Sequence, residues 1–417
     1  MPYTAIARLL LLLAPALPLA VHAVEPSASP AVGVSTSAVL AIPAKPITTR
    51  AQLDAYQHDT PSANSPLGWL TPGAQRRFLA GLVFGEHGVG GMNIGDLRYE
   101  LTREQAYVLL QLFGEQSYAL DLDARSTPRP TGGDDDTASV LAPPYEQLLD
   151  APKQHPDHTG QTQVIAHVYA AGIAPLQTDA QRRLLGDRDV EFLFRAATVA
   201  FGSTSQLDYL NDMRADFAEL ARRQRVDRPH AADLHDALIV AHHTDEARAL
   251  LAAYPLLERA PAPVMRSFTR LRNGQPSLWI ANLGTRKREL VRFRFNIHAP
   301  AQIVVVTSTG CHFSANAARD IEADPLLRDV FREYGQWVAP LSEITAFDAV
   351  REWNQVHPAL RIGIACDDAA LPMVQRVETP TFYFLDHGTV IDTVVGWPAG
   401  GNLEAIRRGL RKIDLLR

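Results

Sequence analysis

The sequence predicts an α+β protein of two domains, a mostly helical N-terminal domain followed by an α/β C-terminal domain. Three observations lead there. From about residue 71 to residue 254, apolar residues recur at helical spacing behind hydroxyl and carboxyl caps. After Arg286 the period changes to the alternation of strands, with helical stretches between them. A cysteine, Cys311, then falls where a strand-like run meets a helix. At 417 residues the chain exceeds what one hydrophobic core usually serves.

The N-terminus is not part of either domain. Met1 to Arg8 carries one positive side chain and precedes an almost unbroken apolar run from Leu9 to Val21, which is short for a membrane span. Val21-His22-Ala23 offers the small residues of a cleavage site, so residues 1–23 are expected to be a secretory signal peptide cut near Ala23. No cysteine follows the cut, and the mature chain is expected to be periplasmic or secreted, in an oxidising compartment, with no membrane span after cleavage. Residues 24–49 are Pro, Ala, Ser and Val with almost no charge and read as a flexible linker.

The helical domain is placed at 50–285. Thr71-Pro72 supplies a hydroxyl cap and a first-turn proline, with Gly85 as the stop; Thr102-Arg103-Glu104-Gln105 is a capping box ahead of the apolar Val108–Phe113 and the stop Gly114. Residues 126–144, with Asp134-Asp135-Asp136, shift to Pro, Gly and Thr and read as a solvated loop. Helices follow at 189–201, 206–223, 234–241 and 245–253. The last two have the small-residue and leucine spacing of a tetratricopeptide-like hairpin, without a 34-residue self-similarity over the region. An irregular helical domain that presents a surface to a protein partner is expected.

The C-terminal domain is placed at 286–417. Leu290–Phe295 alternates as an edge strand does, Gln302–Ser308 is a buried-strand run, and Arg361–Ala365 is another. Helices at 313–321, after Asp324-Pro325, and at 346–356 fill the interval. Thr381–Leu385, the turn Asp386-His387-Gly388 and Val390–Val395 read as a hairpin, and a helix with Leu403, Ile406, Leu410 and Ile413 on one face ends the chain.

Cys311 opens a Gly310-Cys311-His312-Phe313-Ser314 run at the first turn of a helix, where unpaired backbone N–H groups and the helix dipole favour negative charge on the sulfur. The imidazole of His312 stands beside it and can support a thiolate. Cys366 ends the strand 361–365, and in a parallel sheet it shares a rim with Cys311. It is either a small buried apolar side chain or a candidate resolving thiol.

The order strand, cysteine, helix, strand, Thr379-Pro380, hairpin and terminal helix resembles the thioredoxin fold over about residues 286–417. Its marks are Cys-His-Phe-Ser in the place of the family's Cys-x-x-Cys, Val377-Glu378-Thr379-Pro380-Thr381 in the place of its cis-proline loop, and Gly396-Trp397 near its late glycine. The resemblance implies a cis Thr379-Pro380 peptide facing Cys311, with the Thr379 backbone available to a substrate strand and Phe313 packed against that loop. Ser314 stands where the second cysteine belongs, so the motif is similar to Cys-x-x-Ser members, including monothiol glutaredoxins, which hold partners in mixed disulfides.

Other motifs point nowhere in particular. Gly85-Glu86-His87-Gly88-Val89-Gly90-Gly91 lacks the Lys-Ser/Thr end of a phosphate loop and reads as a loop. His235, His242 and His243 fall near one helical face, but no cysteine or carboxylate completes a metal-ligand spacing. The net charge of −6, with acidic and basic residues balanced after residue 286, does not suit a nucleic-acid binder, and no cofactor or metal is expected. The expected activity is thiol–disulfide exchange through Cys311, with His312, Ser314, Thr379 and Pro380 as the other site residues and thiol- or disulfide-bearing proteins as partners. The competing reading is a binding scaffold in which Cys311 does no chemistry.

Overall fold

The structure, a computed structural model, describes residues 40–416 apart from 86–87, 130–138, 156, 256, 258, 269–270, 272–274, 367–370, 372–373, 375–377 and 399. The expected signal peptide, most of the linker, Glu86 and His87, the Asp134-Asp135-Asp136 run and Val377 therefore lie outside the described residues. An N-terminal helical region and a C-terminal mixed sheet give the chain its α+β layout.

Helices α1 (Arg50–Asp59), α2 (Pro72–Gly81), α3 (Ile94–Glu100) and α4 (Arg103–Gln111) enclose a core of their own around Leu53, Phe78, Leu97 and Leu109. The caps act as their chemistry requires: Thr71 accepts from the Ala74 amide, and Thr102 and Gln105 close a reciprocal capping box. Helix α2 ends at Gly81, ahead of the expected Gly85. The glycine-rich stretch after it is a hairpin and not a loop, β1 (Val83–Gly85) pairing antiparallel with β2 (Gly88–Gly90). The chain returns so closely that a Cβ on Gly91, at φ +72°, would lie 2.1 Å from the Gly81 carbonyl oxygen, which leaves glycine as the residue that fits.

Seven helices follow: α5 (Ala142–Asp150), α6 (His158–Gly172), α7 (Asp179–Leu184), α8 (Asp187–Thr204), α9 (Leu207–Arg222), α10 (Arg228–Val240) and α11 (Thr244–Ala253). Helix α8 is buried nearly all round. Leu193, Phe194 and Ala197 join the apolar core, whereas Arg188, Glu191 and Arg195 enter a buried ionic cluster. There Arg195 lies 2.6 Å from Asp96, Arg188 2.7 Å from both Glu100 and Glu191, and Arg77 2.8 Å from Asp96. Charges so far from water persist as opposed pairs, and this cluster ties α2 and α3 to α8.

The rest of the chain is β3 (Val264–Ser267), β4 (Ser277–Ala281), β5 (Glu289–Arg294), β6 (Gln302–Val306), α12 (His312–Ala323), α13 (Pro325–Tyr334), β7 (Gly335–Ala339), α14 (Phe347–Val356), β8 (Ile362–Ala365), β9 (Thr381–Asp386), β10 (Thr389–Val395) and α15 (Leu403–Lys412). The sheet order is β10-β9-β6-β7-β8-β4-β5-β3. Strands β6, β7 and β8 run parallel, while β9 lies antiparallel to β6 and β10 to β9. Strand β6 leads into the cysteine-bearing helix α12, and the β9-β10 hairpin and α15 follow the parallel strands. In β6, Ile303 and Val305 enter the core shared with the helices and Val304 and Val306 the core on the other face, so burial on both sides explains the unbroken apolar run. The β9-β10 turn places both His387 and Gly388 at positive φ, as a two-residue hairpin of type I′ needs.

The sheet begins before Arg286, since β3 and β4 belong to it, and apolar core residues run from the helices into the sheet. Strand β5 is internal, between β4 and β3, and β3 is the edge. Strand β7 had no place in the sequence reading: it begins at Gly335, the capping residue that directly follows α13. Among the described residues no helix is long and apolar enough to cross a membrane.

Candidate functional site

Cys311 is held by a short turn at the carboxyl end of β6. The Thr307 amide donates to the Val338 carbonyl at 2.9 Å and pins the strand end to β7. Ser308-Thr309-Gly310 then turn the chain, with the Cys311 amide donating to the Ser308 carbonyl at 3.2 Å. Both hydroxyls of this turn are clamped by one carboxylate: Ser308 Oγ donates to Glu343 Oε1 at 2.6 Å and Thr309 Oγ1 to Glu343 Oε2 at 2.7 Å. Hydrogen bonds to an ionised acceptor are the strong kind, so Glu343, which follows β7, fixes the approach to the cysteine. Sequence reasoning missed this residue. It sits in a short 3-10 turn, Leu341–Ile344, and belongs to no motif.

The cysteine itself is the N-cap of α12, at φ −91° and ψ 110°, and is partly exposed. Its Sγ donates to the Thr379 carbonyl oxygen at 3.3 Å. The Thr379-Pro380 peptide is cis and Pro380 is buried. The loop is held from both ends, by Thr381 Oγ1 donating to the Glu378 carbonyl at 2.6 Å and by the Gly396 amide donating to the Pro380 carbonyl at 2.8 Å. The next residue, Trp397, donates from Nε1 to Asp320 of α12 at 2.8 Å and packs on Phe382, which couples the end of β10 to the cysteine-bearing helix.

The remaining motif residues separate into an exposed pair and a buried one. His312 is exposed and its ring lies 3.9 Å, centroid to centroid, from that of Phe313. Phe313 is 40% exposed, its ring tilted by 40° to that of His312. Ser314 is fully buried on the inner face of α12 with Ala317, Ala318 and Ile321, and its Oγ is without a hydrogen-bond partner among the described residues.

Cys366, the candidate resolving thiol, follows the last residue of β8 on the rim shared with Cys311. Neither cysteine is in a disulfide, and β7 lies between β6 and β8. Two interstrand steps amount to about 10 Å, beyond the ~7 Å that a disulfide spans between Cα atoms. The Cys366 amide donates to the Ser277 carbonyl, toward β4 and away from the site.

His235, His242 and His243 make separate contacts. His235 is buried with Nδ1 2.9 Å from Asp236, His243 lies 3.0 Å from Glu246, and His242 occupies the turn after α10, where burial first and the neighbouring His243 second push its imidazole down. Among the described residues no group of three or more His, Cys, Asp or Glu side chains could hold a metal.

No family model matches this sequence, and no curated protein matches it. Among solved structures it is similar to a thioredoxin-like protein from Bacteroides caccae, at 10% identity and a TM-score of 0.23, over 74% of this chain and 93% of that one. A superposition so loose carries no argument. The site is laid out by the strand order β10-β9-β6-β7 and by the contact of Cys311 with the Thr379 carbonyl.

Proposed function

We propose that this chain carries out thiol–disulfide exchange through Cys311 and holds its partners in mixed disulfides. The observation that supports this most is a partly exposed thiol at a helix N-terminus, turned onto the Thr379 carbonyl of a backbone loop. The thiolate of Cys311 attacks one sulfur of a partner disulfide; a Cys311–partner S–S bond forms, the partner's S–S bond breaks, and the released thiolate takes up the proton that Cys311 gave to solvent. A second thiol, from the partner or from a small thiol, then attacks the mixed disulfide and frees Cys311. No net oxidation occurs, because each step exchanges one S–S bond for another. His312, exposed and next to Cys311 in the chain, supports the thiolate, and the half-buried Thr379 backbone aligns the incoming chain. Residues 1–23 deliver the product to an oxidising compartment, which N-terminal sequencing of the protein recovered from cells would report as a start near Val24.

The experiment is direct. Reaction with hydroxyethyl disulfide, followed by peptide mapping, is expected to place the adduct on Cys311, with a rate that falls in His312→Ala and vanishes in Cys311→Ala. If Cys311 stays unmodified while partner capture is the same in Cys311→Ala, the protein is a binding scaffold and the exchange reading is wrong.

A further inference from the structure

A cavity of about 710 Å³ opens at the carboxyl rim of the sheet and is lined in part by Thr379. Its floor is Val306, Val338 and Ala365, the last residues or nearly so of β6, β7 and β8. Its roof is helical: Phe201 and Gly202 of α8, Met213 of α9 and Val240 of α10. Thr379 belongs to both places, since its carbonyl takes the Cys311 thiol and its residue lines the cavity; Ser308 and Glu343 of the turn that carries the cysteine line it too. Its volume lies within the ~300–1,000 Å³ of ordinary ligand sites.

Among the described lining residues the ionisable ones are Asp233, Asp236 and Glu343, and none is a cation. Asp233 is paired with Arg98 at 2.7 Å and Asp236 with Arg259 at 2.9 Å, whereas Glu343 accepts from the neutral hydroxyls of Ser308 and Thr309. An occupant bearing carboxylates would be repelled and would lose its hydration without a partner. An apolar side chain is welcome.

We infer that the cavity is the substrate subsite of this thiol, and that it selects disulfides carried by polypeptide segments with an apolar residue next to the cysteine, against the anionic glutathione disulfide. The inference rests on the exchange reading. It adds a role for the helical region: α8, α9 and α10 roof the subsite, so the helices set which disulfide reaches Cys311. Burying one large aliphatic side chain gains about 1.5–3 kcal/mol, which is a preference of about tenfold or more.

Gly202 gives a clean way to close the cavity, because it lines the wall, is exposed, and a Cβ placed on it meets nothing within 4 Å. The test compares wild type, Gly202→Trp and, from a different helix, Val240→Phe, each checked for a native circular dichroism spectrum. Rates at Cys311 are measured with hydroxyethyl disulfide, glutathione disulfide, and a mixed disulfide of a short peptide whose cysteine is flanked by leucine. The expected result is a wild-type preference of about tenfold for the leucine peptide, abolished in both variants while the hydroxyethyl disulfide rate stays within about twofold. Equal wild-type rates with all three reagents, or a preference that survives in both folded variants, overturns the subsite. Loss of the hydroxyethyl disulfide reaction in wild type overturns the exchange reading beneath it.

Discussion

The Cys311 thiol and the Thr379 carbonyl oxygen meet at 3.3 Å across the carboxyl rim of the sheet. The two residues come from different loops, one leaving β6 and one entering β9, and the antiparallel pairing of Val306 with Thr381 brings those loops together. A serine at 311 offers the same donor. Cys311→Ser is therefore expected to keep the stability of the wild type to within about 0.5 kcal/mol while losing all mixed-disulfide formation. Urea denaturation and mass spectrometry read the two effects separately, and a large loss of stability would mean that the sulfur itself is a packing element.

Ser314 is buried three residues along α12 from Cys311, and its hydroxyl is unpartnered among the described residues. A sulfur suits that apolar site better than a hydroxyl does. Ser314→Cys is expected to fold and to turn a chain that accumulates mixed disulfides into one that releases them, because the new thiol can resolve the intermediate within the motif. Insulin reduction assays measure it. Equal turnover by the wild type would show that resolution comes from another thiol.

Glu343 holds both hydroxyls of the turn that carries the cysteine. Glu343→Ala removes two charge-assisted hydrogen bonds and is expected to cost about 1–3 kcal/mol of stability, together with a severalfold slower alkylation of Cys311. Glu343→Gln keeps one carbonyl acceptor and should fall between. An alkylation rate unchanged in Glu343→Ala would show that the turn is rigid without it.

His230 is buried in the first turn of α10 against Tyr99 and Phe194, and its Nδ1 accepts the Asp227 amide at 3.1 Å, which requires a ring nitrogen without a proton. Burial pushes its imidazole down to about 4 against the opposite pull of Glu191, Asp227 and Asp233. Between that value and the ordinary value of 6.5 the unfolded chain binds a proton here that the folded chain does not. Stability is accordingly complete above about pH 6.5 and falls as pH drops toward 4, by about 3 kcal/mol. His230→Gln keeps a side-chain acceptor for the cap but cannot titrate, so its stability should lose that part of the slope. Urea midpoints by tryptophan fluorescence at pH 7, 5.5 and 4.5 give the comparison, and identical slopes would exclude the assignment.

Much of this protein is written in local sequence. Thr71, Thr102 and Gln105 start helices because a hydroxyl or amide beside free backbone N–H groups needs no distant partner. The run Ile303-Val304-Val305-Val306 reads as a strand covered on both faces, and His387-Gly388 as its own kind of turn. Cys311 was found at a strand-to-helix junction for the same reason: a strand that gives way to a helix leaves its mark in the period of apolar residues.

What the sequence could not determine depends on residues brought together from far apart in the chain. Strand β7 follows α13 without a turn, and its five residues are held by pairing with β6 and β8 and not by any local preference. It lies between β6 and β8, the strands that precede Cys311 and Cys366. Glu343, the cluster of Asp96, Glu100, Glu191 and Arg195, and the helical roof over Thr379 are of the same kind. Hydrogen bonds and ion pairs between distant positions leave no periodic trace, because each is specified by the burial of both partners, and burial exists only once the chain has folded.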